Sequence, residues 1–152
     1  MLLWMHLGFS LASDVLLVLT AVVSLAYLIQ DHLLKNKKVT LSWLHLPSIQ
    51  VLDEVGLKIL TLSFLLMTIG ICTGSLLAKR YWGPGWYLDI RQIWSTATWL
   101  LFAVVLLARF TVGWRGRRAA LVTLVGVTFV ITGLFILNYV SWTKHVATGS
   151  LT

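Results

Sequence analysis

The chain has 152 residues, of which 59% are hydrophobic and 11% are charged, with a formal net charge of +7. About a quarter of the residues of a soluble globular domain are charged, so this composition excludes that class. The basic residues lie in short segments between apolar spans, as in the cytoplasmic loops of membrane proteins, so nucleic acid is not an expected partner. We therefore expect one integral, multi-pass domain over residues 1–152 in the lipid bilayer of the inner (cytoplasmic) membrane.

The first predicted span covers residues 7–30, enough at 1.5 Å per residue to cross a hydrocarbon core of about 30 Å. No positively charged n-region or small-residue cleavage site precedes it, so we expect a retained helix rather than a signal peptide. Asp14 should face a polar partner or a water-filled cavity, because the insertion of a carboxylate into the membrane costs roughly 2.5–3.5 kcal/mol of free energy. His6 lies two helical turns before Asp14 on about the same face.

The first loop, residues 31–56, begins with three lysines and continues into an amphipathic segment, 41–47, that should lie on the bilayer surface. The second span covers residues 57–78. Its Gly70-Ile-Cys-Thr-Gly74 segment predicts a face that another helix approaches closely. Cys72 is the single cysteine, which excludes a disulfide within the chain and covalent haem attachment through a Cys-x-x-Cys-His motif.

A tryptophan-rich connection, residues 79–92, leads into the third span at 93–111. An interfacial aromatic belt is one interpretation of this segment, and a stacking surface for a flat apolar ligand is the other. The candidate binding residues are Trp82, Gly83, Trp86, Asp89, Arg91 and Trp94.

A basic turn at 113–118 separates the third span from the uncharged fourth span at 119–140, and residues 141–152 form a tail that contains His145. Arg109, near the end of the third span, should extend its guanidinium to the lipid headgroups. The positive-inside rule assigns the first loop and the basic turn to the cytoplasm. We therefore predict an all-α, four-transmembrane-helix bundle with both termini, His6, His145 and the tryptophan segment on the outer (periplasmic) side.

Two histidines and an aromatic loop at one membrane face form a candidate haem site, since imidazoles are axial ligands of haem iron. Arg91, Arg80 or Lys144 could pair with the propionates. The alternative is that both histidines are ordinary interfacial residues. No nucleophile–base arrangement or phosphate-binding loop is present, so we do not expect an enzyme.

The same residues resemble the tryptophan-rich (WWD-type) haem-handling family of cytochrome c assembly proteins (CcsA/CcmC/HemX type), in a shortened form. That family carries a motif close to W-G-x-x-W-x-W-D-P-[KR]-E-[TS]-W, then a T-W pair, an arginine and a G-W-R-G-[RK] turn. The match runs through Trp82, Gly83, Trp86, Asp89, Arg91, Trp94, Thr98, Trp99, Arg109 and residues 113–117. The resemblance implies that His6 and His145 are the two external histidines that flank a non-covalent b-type haem presented by the tryptophan loop.

The sequence departs from the family pattern at Leu88, Ile90 and Gln92, and Leu107 replaces an intramembrane histidine. The chain also begins at the first external histidine, so we expect the family's upstream spans to be absent. Three hypotheses follow. The first is a haem-binding component of cytochrome c maturation that works with another membrane subunit. The second is a small haem-b-carrying or structural subunit of a respiratory or photosynthetic electron-transfer complex. The third is a four-helix packing subunit without a cofactor.

Overall fold

Four long helices make up the protein, α1 (Leu2–Lys35), α2 (Ile49–Trp82), α3 (Ile90–Thr111) and α4 (Arg117–Gly149). The structure is a computed structural model that describes residues 1–35, 47–83, 87 and 89–149, without the side chains of Trp82 and 137–149. Each helix contains a stretch long and apolar enough to cross a membrane. These findings confirm the all-α, four-span fold of an integral multi-pass membrane protein.

Two helices extend well beyond the predicted spans. Helix α2 begins at Ile49, eight residues before the predicted span, because the Ser48 hydroxyl accepts a hydrogen bond from the Val51 N–H at 3.4 Å and caps the helix. Helix α4 continues to Gly149, through most of the segment that we expected to be a tail. Hydropathy locates the apolar part of a helix and not its ends. The predicted surface segment 41–47 lies outside the described residues, except for its last residue.

The helices form an antiparallel ring in which α1 contacts α2 and α4, and α3 contacts the same two helices. His6, near the start of α1, lies against Gly70 and Gly74 of α2, whereas Tyr27 lies beside Gly116, just before α4. The start of α1, the end of α2, the start of α3 and the end of α4 therefore share one end of the bundle. The basic turn 113–118 lies at the other end, as the span count predicts.

The interface between α1 and α2 is built on small and polar residues. The Ser13 hydroxyl donates to the Ser63 carbonyl oxygen at 3.0 Å, and the Ser63 hydroxyl donates to the Ser13 carbonyl oxygen at the same distance. A Cβ at Gly70 would lie 2.9 Å from the Ser10 hydroxyl, so only glycine fits there without a shift. This close approach confirms the prediction made from the Gly70–Gly74 segment, with α1 as the partner helix.

An apolar core closes the middle of the bundle, and the outer surface is apolar too. Leu17, Leu60 and Phe102 are at most 2% exposed and belong to one cluster. The outward face of α1 carries exposed valines and leucines such as Val15 and Val22, as a lipid-facing surface requires.

Arg109 does not extend to the headgroups as we expected. Its side chain is only 5% exposed, and its Nη2 donates to Oδ1 of Asp53 at 2.8 Å. The same carboxylate oxygen accepts from the Gly116 N–H at 3.3 Å. The prediction was wrong because it assigned Asp53 to a loop, whereas the earlier start of α2 puts Asp53 one turn into the helix and beside α3. The ion pair joins α2, α3 and the turn before α4.

We predict that Asp53→Ala lowers the free energy of unfolding by about 3 kcal/mol, because it leaves the buried Arg109 guanidinium without its counter-charge. Unfolding in an SDS titration measures the loss. The matched control is Asp31→Ala, which removes an ion pair to Lys35, whose side chain is 60% exposed. That pair should contribute at most about 0.5 kcal/mol. Equal losses from the two variants would contradict a structural role for the Asp53–Arg109 pair.

Candidate functional site

A cavity of about 250 Å³ opens among the four helices at the end of the bundle where α1 begins. We call it the His6 cavity. Its walls include His6 and Asp14 of α1, Gly74 of α2, Trp94 and Ser95 of α3 and Leu134 of α4. His6 and Asp14 therefore share a face of α1, as their spacing predicts, and Asp14 faces a cavity as its membrane position requires.

The imidazole of His6 has a defined hydrogen bond. Its Nδ1 lies 2.8 Å from the carbonyl oxygen of Gly70. A carbonyl oxygen only accepts, so Nδ1 carries the proton and donates it. In the neutral ring Nε2 is then unprotonated, and it has no hydrogen-bond partner among the described residues. His6 thus presents a free nitrogen lone pair at the cavity end of the bundle.

Gly74 leaves the room that this ring occupies. A Cβ at position 74 would lie 2.7 Å from Cε1 and 3.0 Å from Nδ1 of His6, so any larger residue would push the ring out of place. The Gly70 carbonyl oxygen also accepts from the Thr73 hydroxyl at 3.0 Å. Gly70 and Gly74 of α2 therefore have two roles: they allow α1 to pack closely, and they position the His6 ring.

Trp94 forms part of the cavity wall and of the contact between α3 and α4. Its ring stacks on Phe129 with centroids 4.3 Å apart and planes at 10°. Its Nε1 is buried beside Gly133 and has no hydrogen-bond partner among the described residues. Trp99, five residues further along, packs on the other side of α3, where it stacks on Phe64 and donates to the Thr68 hydroxyl at 2.9 Å. Of these two tryptophans, Trp94 lines the His6 cavity and Trp99 does not.

Two polar contacts hold the N-terminal end of α3 in place. The Asp89 carboxylate caps the helix by accepting from the Arg91 N–H at 2.8 Å. The side-chain amide of Gln92, one of the departures from the family motif, donates to the Ser75 hydroxyl at 3.0 Å and also lines the cavity. Asp89 thus stabilises the start of the helix that carries Trp94.

The remaining predicted site residues are described less fully. Gly83 ends α2 with φ +64°, a conformation that favours glycine. Arg91 is exposed at the start of α3. Trp86 lies outside the described residues, as do the side chains of Trp82 and His145, although α4 includes His145. Among the described residues, no group of three or more His, Cys, Asp and Glu side chains is arranged to hold a metal ion.

The sequence analysis did not identify Ser10, Ser13 and Ser95 as parts of the cavity wall, and it named Thr98 only in the motif match. A signal for the α1 residues was present. Starting at His6, the inward positions of α1 recur at alternating intervals of four and three residues, through Ser10, Ser13, Leu17, Thr20, Ser24 and Tyr27. A polar stripe at that period in an otherwise apolar helix indicates the face that meets another helix.

The amino-acid sequence matches one protein-family model and several known proteins. The family model described as "Cytochrome C assembly protein" matches residues 1–145. The chain is similar to three proteins named "Cytochrome c biogenesis protein CcsA". The protein from Nostoc sp. is 40% identical over 111 residues, which cover 73% of this chain and 31% of that protein. The protein from Synechocystis sp. is 41% identical over 92 residues, which cover 60% of this chain and 28% of that protein. The protein from Prochlorococcus marinus is 34% identical over 97 residues, covering 64% and 30%.

The matched part of the chain therefore spans about 30% of the length of these relatives. No solved structure matches the chain significantly.

We predict that Gly74→Ala destabilises the bundle by about 1–3 kcal/mol, because its Cβ would overlap the His6 ring. Gly8→Ala is the matched control, since a Cβ there meets nothing within 4 Å. This substitution should not lower the stability of the bundle. Steric trapping in bicelles measures both. In a His6→Ala background the cost of Gly74→Ala should disappear. A cost that persists without the imidazole would show that Gly74 does not make room for this ring.

Proposed function

The chain belongs to the family of cytochrome c assembly proteins, and from this premise we propose that it is a haem-binding membrane protein of cytochrome c assembly. Non-covalent, b-type haem is held at the outer face of the inner membrane by His6 and His145, beside the tryptophan segment 82–94. The protein presents haem to another membrane subunit of the maturation machinery. It performs no enzymatic reaction of its own.

The observation that carries the proposal is the hydrogen bond from His6 Nδ1 to the Gly70 carbonyl oxygen. A histidine that ligates a metal commonly donates its other ring N–H to a carbonyl or carboxylate, which fixes the tautomer and orients the ring. The bond leaves Nε2 bare, and neutral imidazole with a bare nitrogen is an axial ligand for haem iron. The donor chemistry of His6 therefore fits the proposed ligand.

Part of the wall of the His6 cavity is apolar and can contact the edge of a flat ligand. The apolar part of the wall is formed by Trp94, Met67, Val130 and Leu134. The cavity volume of about 250 Å³ lies just below the usual range of small-ligand pockets, about 300–1,000 Å³. Most of a macrocycle would therefore remain outside the bundle, where the tryptophan segment connects α2 to α3.

The position of Leu107 supports presentation at the outer face rather than transport through this chain. The resemblance puts an intramembrane histidine at this position in the family. Here the side chain is leucine, 61% exposed on the outside of α3, so even a histidine would face away from the bundle interior. We propose that another subunit supplies haem to the His6 end.

We predict that the purified chain in nanodiscs binds added haem, with a sharp Soret band and split α and β bands on reduction. His6→Ala should weaken binding by about tenfold or more, since losing even an outer-shell partner of a metal ligand costs 10–100-fold. His145→Ala should also remove the two-imidazole spectrum. Absorbance titration measures the affinity of each variant.

His32→Ala is the matched control, because His32 lies on the same helix at the opposite end of the bundle. It should leave the spectrum and the affinity unchanged. Free imidazole should restore the spectrum of His6→Ala. A spectrum that does not change in His6→Ala, or that His32→Ala changes equally, would contradict ligation by His6.

A further inference from the structure

The carboxylate of Asp14 lies on the wall of the His6 cavity without a protein partner. It makes no hydrogen bond or ion pair with any residue that the structure describes. It is eight residues beyond His6, which corresponds to about 12 Å along α1. Asp14 is also the only aspartate, glutamate, lysine or arginine among the described residues that line the cavity.

An unpaired carboxylate at this depth needs some other stabilisation, because its insertion into a bilayer costs several kcal/mol. The cavity has room for it. At about 30 Å³ per molecule, 250 Å³ holds roughly eight waters. The polar groups of the wall meet the requirement that a buried water finds two or more partners.

The polar wall of the cavity offers hydrogen-bond acceptors in addition to the Asp14 carboxylate. The Gln92 amide nitrogen donates to Ser75, and the Ser95 hydroxyl donates to the Arg91 carbonyl oxygen at 2.9 Å. These bonds leave the Gln92 amide oxygen and the Ser95 lone pairs as acceptors, beside the second Gln92 amide hydrogen and the Ser10 and Thr98 hydroxyls. Together with the Asp14 carboxylate, these acceptors suit ligands that donate hydrogen bonds or carry positive charge.

The cavity is closed on the side away from His6. Leu17, one turn beyond Asp14, is 2% exposed and packs in the cluster with Leu60 and Phe102, which are both fully buried. An apolar plug of this kind excludes water. Any water that reaches Asp14 must therefore enter from the His6 end of the bundle.

We propose that the His6 cavity is a one-sided, cation-selective aqueous vestibule with Asp14 as its fixed charge. Its ligands are water and small monovalent cations, including ammonium groups. The proposal does not depend on haem binding. One consequence is that the anionic groups of any molecule held at His6 stay outside the cavity.

Thiol accessibility tests the proposal in a Cys72→Ser background, which is needed because Cys72 is exposed. The first comparison is Asp14→Cys against Val15→Cys. The two positions have the same depth, but Val15 is 59% exposed on the outer face of α1. A water-soluble thiosulfonate should modify Asp14→Cys from the His6 side of sealed vesicles only, and should leave Val15→Cys unmodified. Equal, slow modification of both would mean a dry cavity and would overturn the proposal.

The second comparison tests charge selectivity with Ser95→Cys, which exchanges one oxygen for sulfur. The probes are a trimethylammonium-ethyl and a sulfonatoethyl thiosulfonate, each normalised to its rate with a free thiol. The cationic reagent should be favoured by about tenfold, because the low-dielectric walls around the water concentrate the field of the Asp14 carboxylate. Asp14→Asn should bring the ratio close to one. If Asp14→Asn did not change the ratio of the two rates, the proposed cation selectivity would be overturned. Neither comparison uses haem, so a failure of the chain to bind haem would not affect the result of either.

Discussion

The close approach of α1 to the small-residue face of α2 is the contact on which the rest of the structure depends. Each helix contributes positions that recur at intervals of three and four residues, and on α2 these include Gly56, Ser63, Gly70 and Gly74. In a bilayer, helices associate through van der Waals contact and hydrogen bonds rather than through the hydrophobic effect, so glycines that admit a second backbone matter more than in water. The reciprocal bonds between Ser13 and Ser63 fix the register of the pair.

That register decides where the functional groups lie. Because Gly70 and Gly74 face the start of α1, the His6 ring fits against them and donates to a backbone carbonyl oxygen. One helical turn of slippage would separate the imidazole from this acceptor. The same register turns Asp14 toward α3 and α4 and not toward lipid. At the other end of the bundle, the Asp53–Arg109 pair holds α3 and the turn before α4 to α2.

The sequence was sufficient for the number of helices, their antiparallel order and the shared end of His6 and the tryptophan segment, because hydropathy and positive charge reflect the bilayer itself. It was not sufficient for interactions that depend on exact helix ends. Arg109 was misjudged because hydropathy does not detect the polar first turns of α2, where Asp53 lies. The helix-capping role of Asp89 was missed because its place in the tryptophan motif suggested that it binds a ligand. The Gly70 contact with His6 joins residues 64 positions apart, which spacing along one helix cannot show.

The central claim is that the packing of α1 on α2 holds His6 with its proton on Nδ1 and with Nε2 bare. Solid-state ¹⁵N NMR tests this most directly, in bilayers without haem, on a variant whose other three histidines are replaced by glutamine. In mildly alkaline buffer, where imidazoles are neutral, we expect one resonance from a protonated Nδ1 and one from an unprotonated Nε2. A ring protonated at Nε2 instead would contradict the account, because its Nδ1 could not donate to the Gly70 carbonyl oxygen.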